Sequence, residues 1–343
     1  MLKISIAELN GLYSKIAETK ALYLPVNQNG VTEFSEWNEE ADVNLTTVTT
    51  EKSPKGYFFP QSENLATFKT EGKSVTVKAE IDEKAPFVIF GMRACDLKGM
   101  EVLDRVFLSE PVDTFYKNRR TVGTIVTLAC GEPEESCFCT AFGIDPTAPK
   151  GDVTAWISGH DLYWQANTEK GEALTEEVKA LMSDADEKAV EAEKAKINEI
   201  LEKLPLKDLD PTVFSGKDEK EIFASENWDE LFKGCIGCGT CTFVCPTCQC
   251  YDIRDYKVGD KVLRFRCWDS CMYSDFTKMA HGNPRTSQKE RYRQRFMHKL
   301  VYFPLNNDGE FSCVGCGRCV RKCPVKTNIA AVIKKFGGGS KNV

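Results

Sequence analysis

Histidine is scarce in this chain: three residues in 343, His160, His281 and His298, with no spacing that pairs them as metal ligands or sets them in a catalytic triad. No G-x-G-x-x-G follows a strand and opens a helix, and no phosphate-binding loop occurs, so neither a Rossmann dinucleotide site nor a nucleotide-hydrolysing site is visible. No apolar run approaches the roughly 20 residues needed to span a bilayer. The start, Met1-Leu2-Lys3-Ile4-Ser5-Ile6-Ala7-Glu8, lacks the apolar core of a secretory signal. A reducing, cytoplasmic location is therefore expected, where disulfides are rare. A large basic excess is also missing: 45 Lys and Arg stand against 51 Asp and Glu, and no aromatic platform accompanies the basic residues. Nucleic acid is not an expected partner.

Cysteine is abundant instead. Of 16 cysteines, 12 lie between positions 235 and 323. Cys235-Ile-Gly-Cys238-Gly-Thr-Cys241-Thr-Phe-Val-Cys245-Pro246 returns in the same spacing as Cys313-Val-Gly-Cys316-Gly-Arg-Cys319-Val-Arg-Lys-Cys323-Pro324. This C-x2-C-x2-C-x3-C-P run is the pattern of proteins with two [4Fe–4S] clusters, in which the fourth Cys of each run ligates the other cluster. Cys235, Cys238, Cys241 and Cys323 are thus the expected ligands of one cluster, and Cys313, Cys316, Cys319 and Cys245 those of the other. A zinc site would call for two CxxC pairs with a gap, or Cys mixed with His. The glycines permit tight backbone turns, and the Pro after each fourth Cys redirects the chain.

The length suits two or three domains. Residues 1–168 read as a mixed α/β domain. Helical spacing covers Ile6 to Ala17, and a short strand Ala21 to Val26. Phe87-Val88-Ile89-Phe90-Gly91 and Thr121 to Leu128 read as buried parallel strands, joined through a helix that Asp96 would cap, in a βαβ crossover. Thr154 to Ile157 and Leu162 to Gln165 read as edge strands. Residues 169–225 form a charged helical segment, broken near Asp184-Ala185-Asp186, and a polar linker. Residues 226–335 form a ferredoxin-like domain with two [4Fe–4S] clusters and a long insertion at 247–312. Residues 336–343 form a flexible tail.

Within the insertion, Arg285 to Lys299 is a basic stretch. It is either a solvated helix face or a source of cations that offset cluster charge and meet an acidic partner. If the two inner strands are parallel neighbours, their C-terminal ends bring Cys95 and Cys130 together with Cys137 and Cys139. A third metal centre could form there, the alternative being that these cysteines pack as small hydrophobes. Cys248, Cys250, Cys267 and Cys271 raise the same question.

Pro86 to Asp96, Cys137-Phe138-Cys139-Thr140, Cys245-Pro246-Thr247-Cys248-Gln249-Cys250 and Trp268-Asp269-Ser270-Cys271 resemble the beta subunit of cytoplasmic sulfhydrogenases. They are also similar to the corresponding iron–sulfur subunit of anaerobic sulfite reductase and to related subunits of flavin-dependent oxidoreductases coupled to heterodisulfide reductase. Ala94 stands where the sulfhydrogenase versions have Pro, and Cys267 where they have no Cys. The resemblance implies two [4Fe–4S] clusters on the eight cysteines of the duplicated runs. It also implies a non-catalytic relay between a flavoprotein subunit (FAD) that handles NAD(P)H and a catalytic redox subunit of an anaerobic complex. The alternatives are a redox enzyme subunit whose N-terminal domain itself binds flavin or a metal, and an iron–sulfur sensor or scaffold.

Overall fold

The computed structural model describes residues 1–81 and 85–339, so the end of the expected flexible tail, 340–343, lies outside the described residues. The chain begins with β1 (Leu2–Ser5), α1 (Leu9–Ala17), β2 (Ala21–Gln28) and β3 (Val31–Glu36), followed by the hairpin β4 (Ser62–Glu71) and β5 (Ser74–Ala79). Next come β6 (Phe87–Met92), α2 (Ala94–Phe107), α3 (Thr114–Val122) and β7 (Gly123–Leu128). Then follow β8 (Val153–Ser158), β9 (Asp161–Ala166), α4 (Glu169–Val178), the short β10 (Ser183–Asp184) and α5 (Lys188–Leu201). A second hairpin, β11 (Tyr251–Val258) and β12 (Lys261–Trp268), lies between the two cysteine runs.

Eight strands form one sheet in the order β10-β1-β9-β8-β7-β6-β2-β3. Its centre is parallel, with Ala21 opposite Phe87, Val88 opposite Thr124 and Val126 opposite Val153. Every residue of β6 and β7 is buried, as two-sided burial of a parallel strand requires. Period-2 alternation divides them between two cores. Val88, Phe90, Val126 and Leu128 pack with α1 and α4, while Phe87, Ile89 and Ile125 pack with α2 and the Phe58-Phe59 turn. The architecture is the expected mixed α/β fold with a C-terminal cluster-bearing region.

Three local expectations are corrected. β7 starts at Gly123, because Thr121 and Val122 complete the last turn of α3. Asp96 does not cap α2, whose N-cap is Arg93; its carboxylate lies inside the first turn, where it bonds a buried guanidinium instead of a backbone N–H. β8 and β9 are interior strands, because β1 adds to the free side of β9. Within the insertion, β12 pairs with β4, giving a four-stranded antiparallel sheet in the order β11-β12-β4-β5. Buried charge anchors that sheet to the body, with Arg266 Nε donating to Glu63 at 2.7 Å and Glu63 also pairing Arg119 of α3.

The hairpin turns have a local cause. Asn29 and Gly30 both take positive φ (50° and 80°), as an Asn-Gly turn between β2 and β3 demands. Gly72 and Gly259 likewise open two-residue turns with φ of 59° and 61°.

The cysteine-rich region has its own core. Trp228, Tyr292, Phe296, Ile329 and Ile333 are buried together, with Cys235, Cys241, Cys313 and Cys319 at its margin. The helix Gln288–Met297 starts from a capping box formed by Ser287 and Glu290, then runs into a π-helical segment, His298–Tyr302.

Candidate iron–sulfur centre

The two cysteine runs fold alike. Gly237 and Gly239 take φ of 71° and 74°, and Gly315 and Gly317 take 57° and 74°. Gly239 and Gly317 each precede a one-turn helix, Thr240–Phe243 and Arg318–Arg321. Glycine adopts these left-handed positions without strain, and in the first run they accompany a loop whose Cys235, Cys238 and Cys241 line one cavity.

The fourth cysteines cross over. Cys323 lines the same small cavity as Cys235, Cys238 and Cys241, walled also by Tyr292 and Arg295. Cys245, chemically part of the first run, lies among the sulfurs of the second: it bears on Cys313, Cys316 and Cys319 through the field of its thiol. The expected ligands of each cluster are thus neighbours in space. Cys319 also reaches the wall of the first cavity, which puts the two groups side by side. The first group is the more open, with Cys238 exposed and Ile236 66% exposed, whereas Cys245 and Cys316 are buried.

Burial dominates the thiols. It pushes Cys241 up to about 11, Cys319 and Cys235 adding to it and Arg295 opposing. It pushes Cys313 up to about 12, with Cys319 adding and Lys299 opposing. Ligation of iron requires thiolates, so these residues release protons on binding metal. Cations stand ready for the resulting charge. Arg295, 2% exposed, donates to the Cys241 carbonyl at 3.1 Å, while its Nε and Nη1 find no hydrogen-bond partner among the described residues. Burial opposes its charge, yet Cys241 and Cys319 hold its pKa well above the ordinary arginine value. Lys299, 4% exposed, is held by Thr247 Oγ1 at 2.6 Å and by the Ser312 carbonyl at 3.2 Å, facing Cys245 and Cys313. The basic stretch therefore directs Arg295 and Lys299 inward, while Arg293 remains on the outer side against Phe223. The donor set, the glycine-curled loops, the shared cavity and the buried cations all suit an anionic, thiolate-bound cluster.

Cys95, Cys130, Cys137 and Cys139 are also neighbours. Cys139 is held well above its ordinary value by burial first, then by Cys130 and Cys137; Cys95 is raised by burial, with Cys139 and Cys316 contributing. This group abuts the second run directly, since Phe138 N–H donates to the Gly315 carbonyl at 2.9 Å. Cys130 and Cys137 also pack against Val48 and Leu204, as hydrophobes would. Among the described residues, no three Cys, His, Asp or Glu side chains converge closely enough to chelate a single metal ion.

Sequence reasoning missed the residues that join this centre to the α/β domain. Arg318 is 1% exposed and donates to both oxygens of Asp96 at 2.6 and 2.8 Å, and to the Thr50 carbonyl at 2.9 Å. A Cβ on Gly99 would lie 2.7 Å from Pro246 Cβ, so α2 rests on the proline that follows Cys245. An arginine directly after the Gly-Cys-Gly of a cluster run was the available signal, but nothing in the sequence placed Asp96 opposite it.

Residues 234–327 match the family described as a 4Fe-4S dicluster domain. Over 341 residues the chain is 32% identical to sulfhydrogenase 2 subunit beta of Pyrococcus furiosus, an alignment covering 95% of each protein. The chain belongs to the sulfhydrogenase beta-subunit family. It carries the iron–sulfur domain of that family, and the resemblance read from Pro86–Asp96 and the cysteine runs holds over nearly its full length. No solved structure matches it. No helix among the described residues is long and apolar enough to cross a membrane.

Proposed function

We propose that this protein is the electron-relay subunit of a cytoplasmic, anaerobic oxidoreductase complex. It passes electrons between a flavoprotein subunit that handles NAD(P)H and a catalytic subunit of hydrogenase, sulfite reductase or heterodisulfide reductase type. The name of its Pyrococcus furiosus relative, a sulfhydrogenase subunit, supports a multi-subunit setting. Cys235, Cys238, Cys241 and Cys323 hold one [4Fe–4S] cluster, and Cys313, Cys316, Cys319 and Cys245 the other. The observation that carries the reading is the exchange of fourth cysteines between the two runs.

The clusters supply sites that gain and lose single electrons. The protein's part is to bind, shield and bias them. Cys245 and Cys316 bury the second site, and water exclusion with nearby N–H groups sets its potential within the roughly −700 to +450 mV open to such clusters. Arg295, set against Cys241 and Cys319, favours the added negative charge at either site. The first site reaches the surface at Cys238 and Ile236, a place where a partner can exchange electrons. Cys95, Cys130, Cys137 and Cys139, beside Cys316, are the candidate third site, one that could suit a cluster but not a single chelated ion.

The test is anaerobic purification of the full chain alone and with its co-purifying polypeptides. The reading expects the isolated chain to be free of flavin and inert toward NAD(P)H, and its clusters to be reduced by NAD(P)H only when a flavoprotein partner is present. Flavin bound to the isolated chain, or substrate reduction by it, would favour an enzyme subunit instead.

A further inference from the structure

The two cysteine loops are alike in backbone, but different groups lie against them. At the second loop the neighbour is main chain: a Cβ on Gly315 would collide with the Phe138 carbonyl. At Gly237, the equivalent place in the first loop, the neighbour is a side chain. A Cβ there would lie 2.8 Å from Gln288 Oε1. Glycine at 237 therefore leaves room for the Gln288 carboxamide to reach the loop, and its Nε2 donates to Cys235 Sγ at 3.6 Å. The second group has a hydroxyl near one of its sulfurs, with Cys245 Sγ 3.2 Å from Thr247 Oγ1. That hydroxyl gives its one proton to the Ser312 carbonyl at 2.6 Å and accepts from Lys299, so it has no proton left for the sulfur.

The orientation of the Gln288 amide is set by its other neighbour. Gln288 is the half-buried first residue of the helix Gln288–Met297, just after the capping box of Ser287 and Glu290. Arg291, three residues on, shares its face of the helix. Arg291 Nη2 donates to Gln288 Oε1 at 3.1 Å, and its Nη1 donates to the Arg285 and Thr286 carbonyls at 3.0 and 3.1 Å. Those two carbonyls hold the guanidinium, and the guanidinium holds the amide. A guanidinium has only donors, so it can bond only the oxygen of the carboxamide, which turns the NH2 end toward Cys235. The reverse orientation would set donor against donor at Arg291, and an oxygen against a sulfur that becomes thiolate when it binds iron. The arginine also polarises the amide through its oxygen, which strengthens the N–H at the other end.

We propose that Gln288 sets the potential of the first cluster: its N–H donates to the Cys235 thiolate and holds that cluster's reduction potential above the value its cysteines alone would give, with Arg291 as the positioning residue. This rests on the reading that Cys235 ligates the first cluster. Reduction adds one electron, supplied by the flavoprotein partner or by dithionite, and therefore one negative charge shared between the iron and its thiolates. A donor aimed at a ligand sulfur stabilises the reduced state more than the oxidised state, so the potential rises. No proton is transferred in the step, because the amide keeps its hydrogens.

The experiment compares the full chain, prepared anaerobically, with Gln288→Met, which keeps the length of the side chain without the donor, and Gln288→Glu, which keeps the oxygen for Arg291 and sets a second oxygen against the sulfur. Iron and acid-labile sulfide are counted, and electron paramagnetic resonance is followed through a dithionite titration. The expected result is unchanged iron with one midpoint moved to more negative potential in Gln288→Met, moved further in Gln288→Glu, and the other midpoint left in place. Intact clusters whose midpoints ignore both substitutions, or move together by the same amount, would overturn the proposal and leave the two-cluster reading standing. Should the Gln288 variants lose their iron, Arg291→Met decides, because it frees the amide to turn while keeping Gln288 and every thiol. A negative shift of one midpoint then supports the role of Gln288, and unmoved midpoints overturn it. An unaltered chain devoid of iron and sulfide refutes the two-cluster reading, and this role for Gln288 with it.

Discussion

Asp96 and Arg318 show how a single pair can join two parts of a chain 222 residues apart in sequence. Both side chains are 1% exposed, so each charge depends on the other. Removing one partner of a buried pair typically costs about 3–5 kcal/mol, whereas replacing both with apolar groups can be close to neutral. Asp96→Ala should therefore lower unfolding free energy by about that amount in denaturant titrations, and Asp96→Leu/Arg318→Met should recover most of it. Equal losses in the single and double variants would show that the pair is not the source. Cys245 carries the sharper chemical prediction. Cys245→Ala should deplete the cluster built by Cys313, Cys316 and Cys319 and spare the one at Cys235, Cys238 and Cys241. Spectra showing the reverse would refute crossed ligation. Cys137→Ser/Cys139→Ser should lower total metal if the Cys95 group is a centre, and metal content that stays constant would return those residues to simple packing.

The 4Fe-4S domain could be read because the identity and spacing of its cysteines are themselves the chemistry. The role of Asp96 could not, since an acid at a helix start looks the same whether it caps the helix or meets an arginine from the other end of the chain. Arg295 and Lys299 posed the same difficulty: a basic stretch on a helix gives no sign of which face turns inward until the core of Trp228, Tyr292 and Phe296 fixes its orientation.

At the level of elements, the repeated left-handed glycines form the cluster loops. Gly315 has an added constraint: a Cβ there would collide with the Phe138 carbonyl, while the Gly315 carbonyl accepts a hydrogen bond from Phe138 N–H at 2.9 Å. Gly315→Ala should therefore strain the loop and push away the Cys137-Phe138-Cys139 segment. The expected outcome is loss of about four irons from the second cluster with the α/β fold retained by circular dichroism. Full iron content in that variant would show that the loop tolerates a side chain. The π-helical segment His298–Tyr302 serves the same region, because its widened turn carries Lys299, buried against Thr247 and Ser312. Long buried strands such as β6 and β7 were legible from their apolar runs. The pairing of β12 with β4 was not, because period-2 patterning marks strands but does not name a partner across roughly 200 residues of chain.

Across the whole molecule, the cysteine-rich region is held by contacts from several parts of the α/β domain. Arg318 meets Asp96 and Thr50, Pro246 rests on Gly99, Phe138 bonds Gly315, and β12 extends the β4–β5 hairpin. Two buried cations, Arg295 and Lys299, enter this interface without a carboxylate ion pair among the described residues. Thiolate-bound iron would supply the negative charge these cations face, and its binding would then be coupled to folding. All of this depends on the nature of what the duplicated cysteine runs hold. Iron and acid-labile sulfide should therefore be counted in the anaerobically purified full chain, with its visible spectrum recorded before and after dithionite. The account predicts a brown protein with at least about eight irons and matching sulfide per chain, bleached reversibly on reduction. Zinc in place of iron, or a colourless protein without acid-labile sulfide, would contradict it.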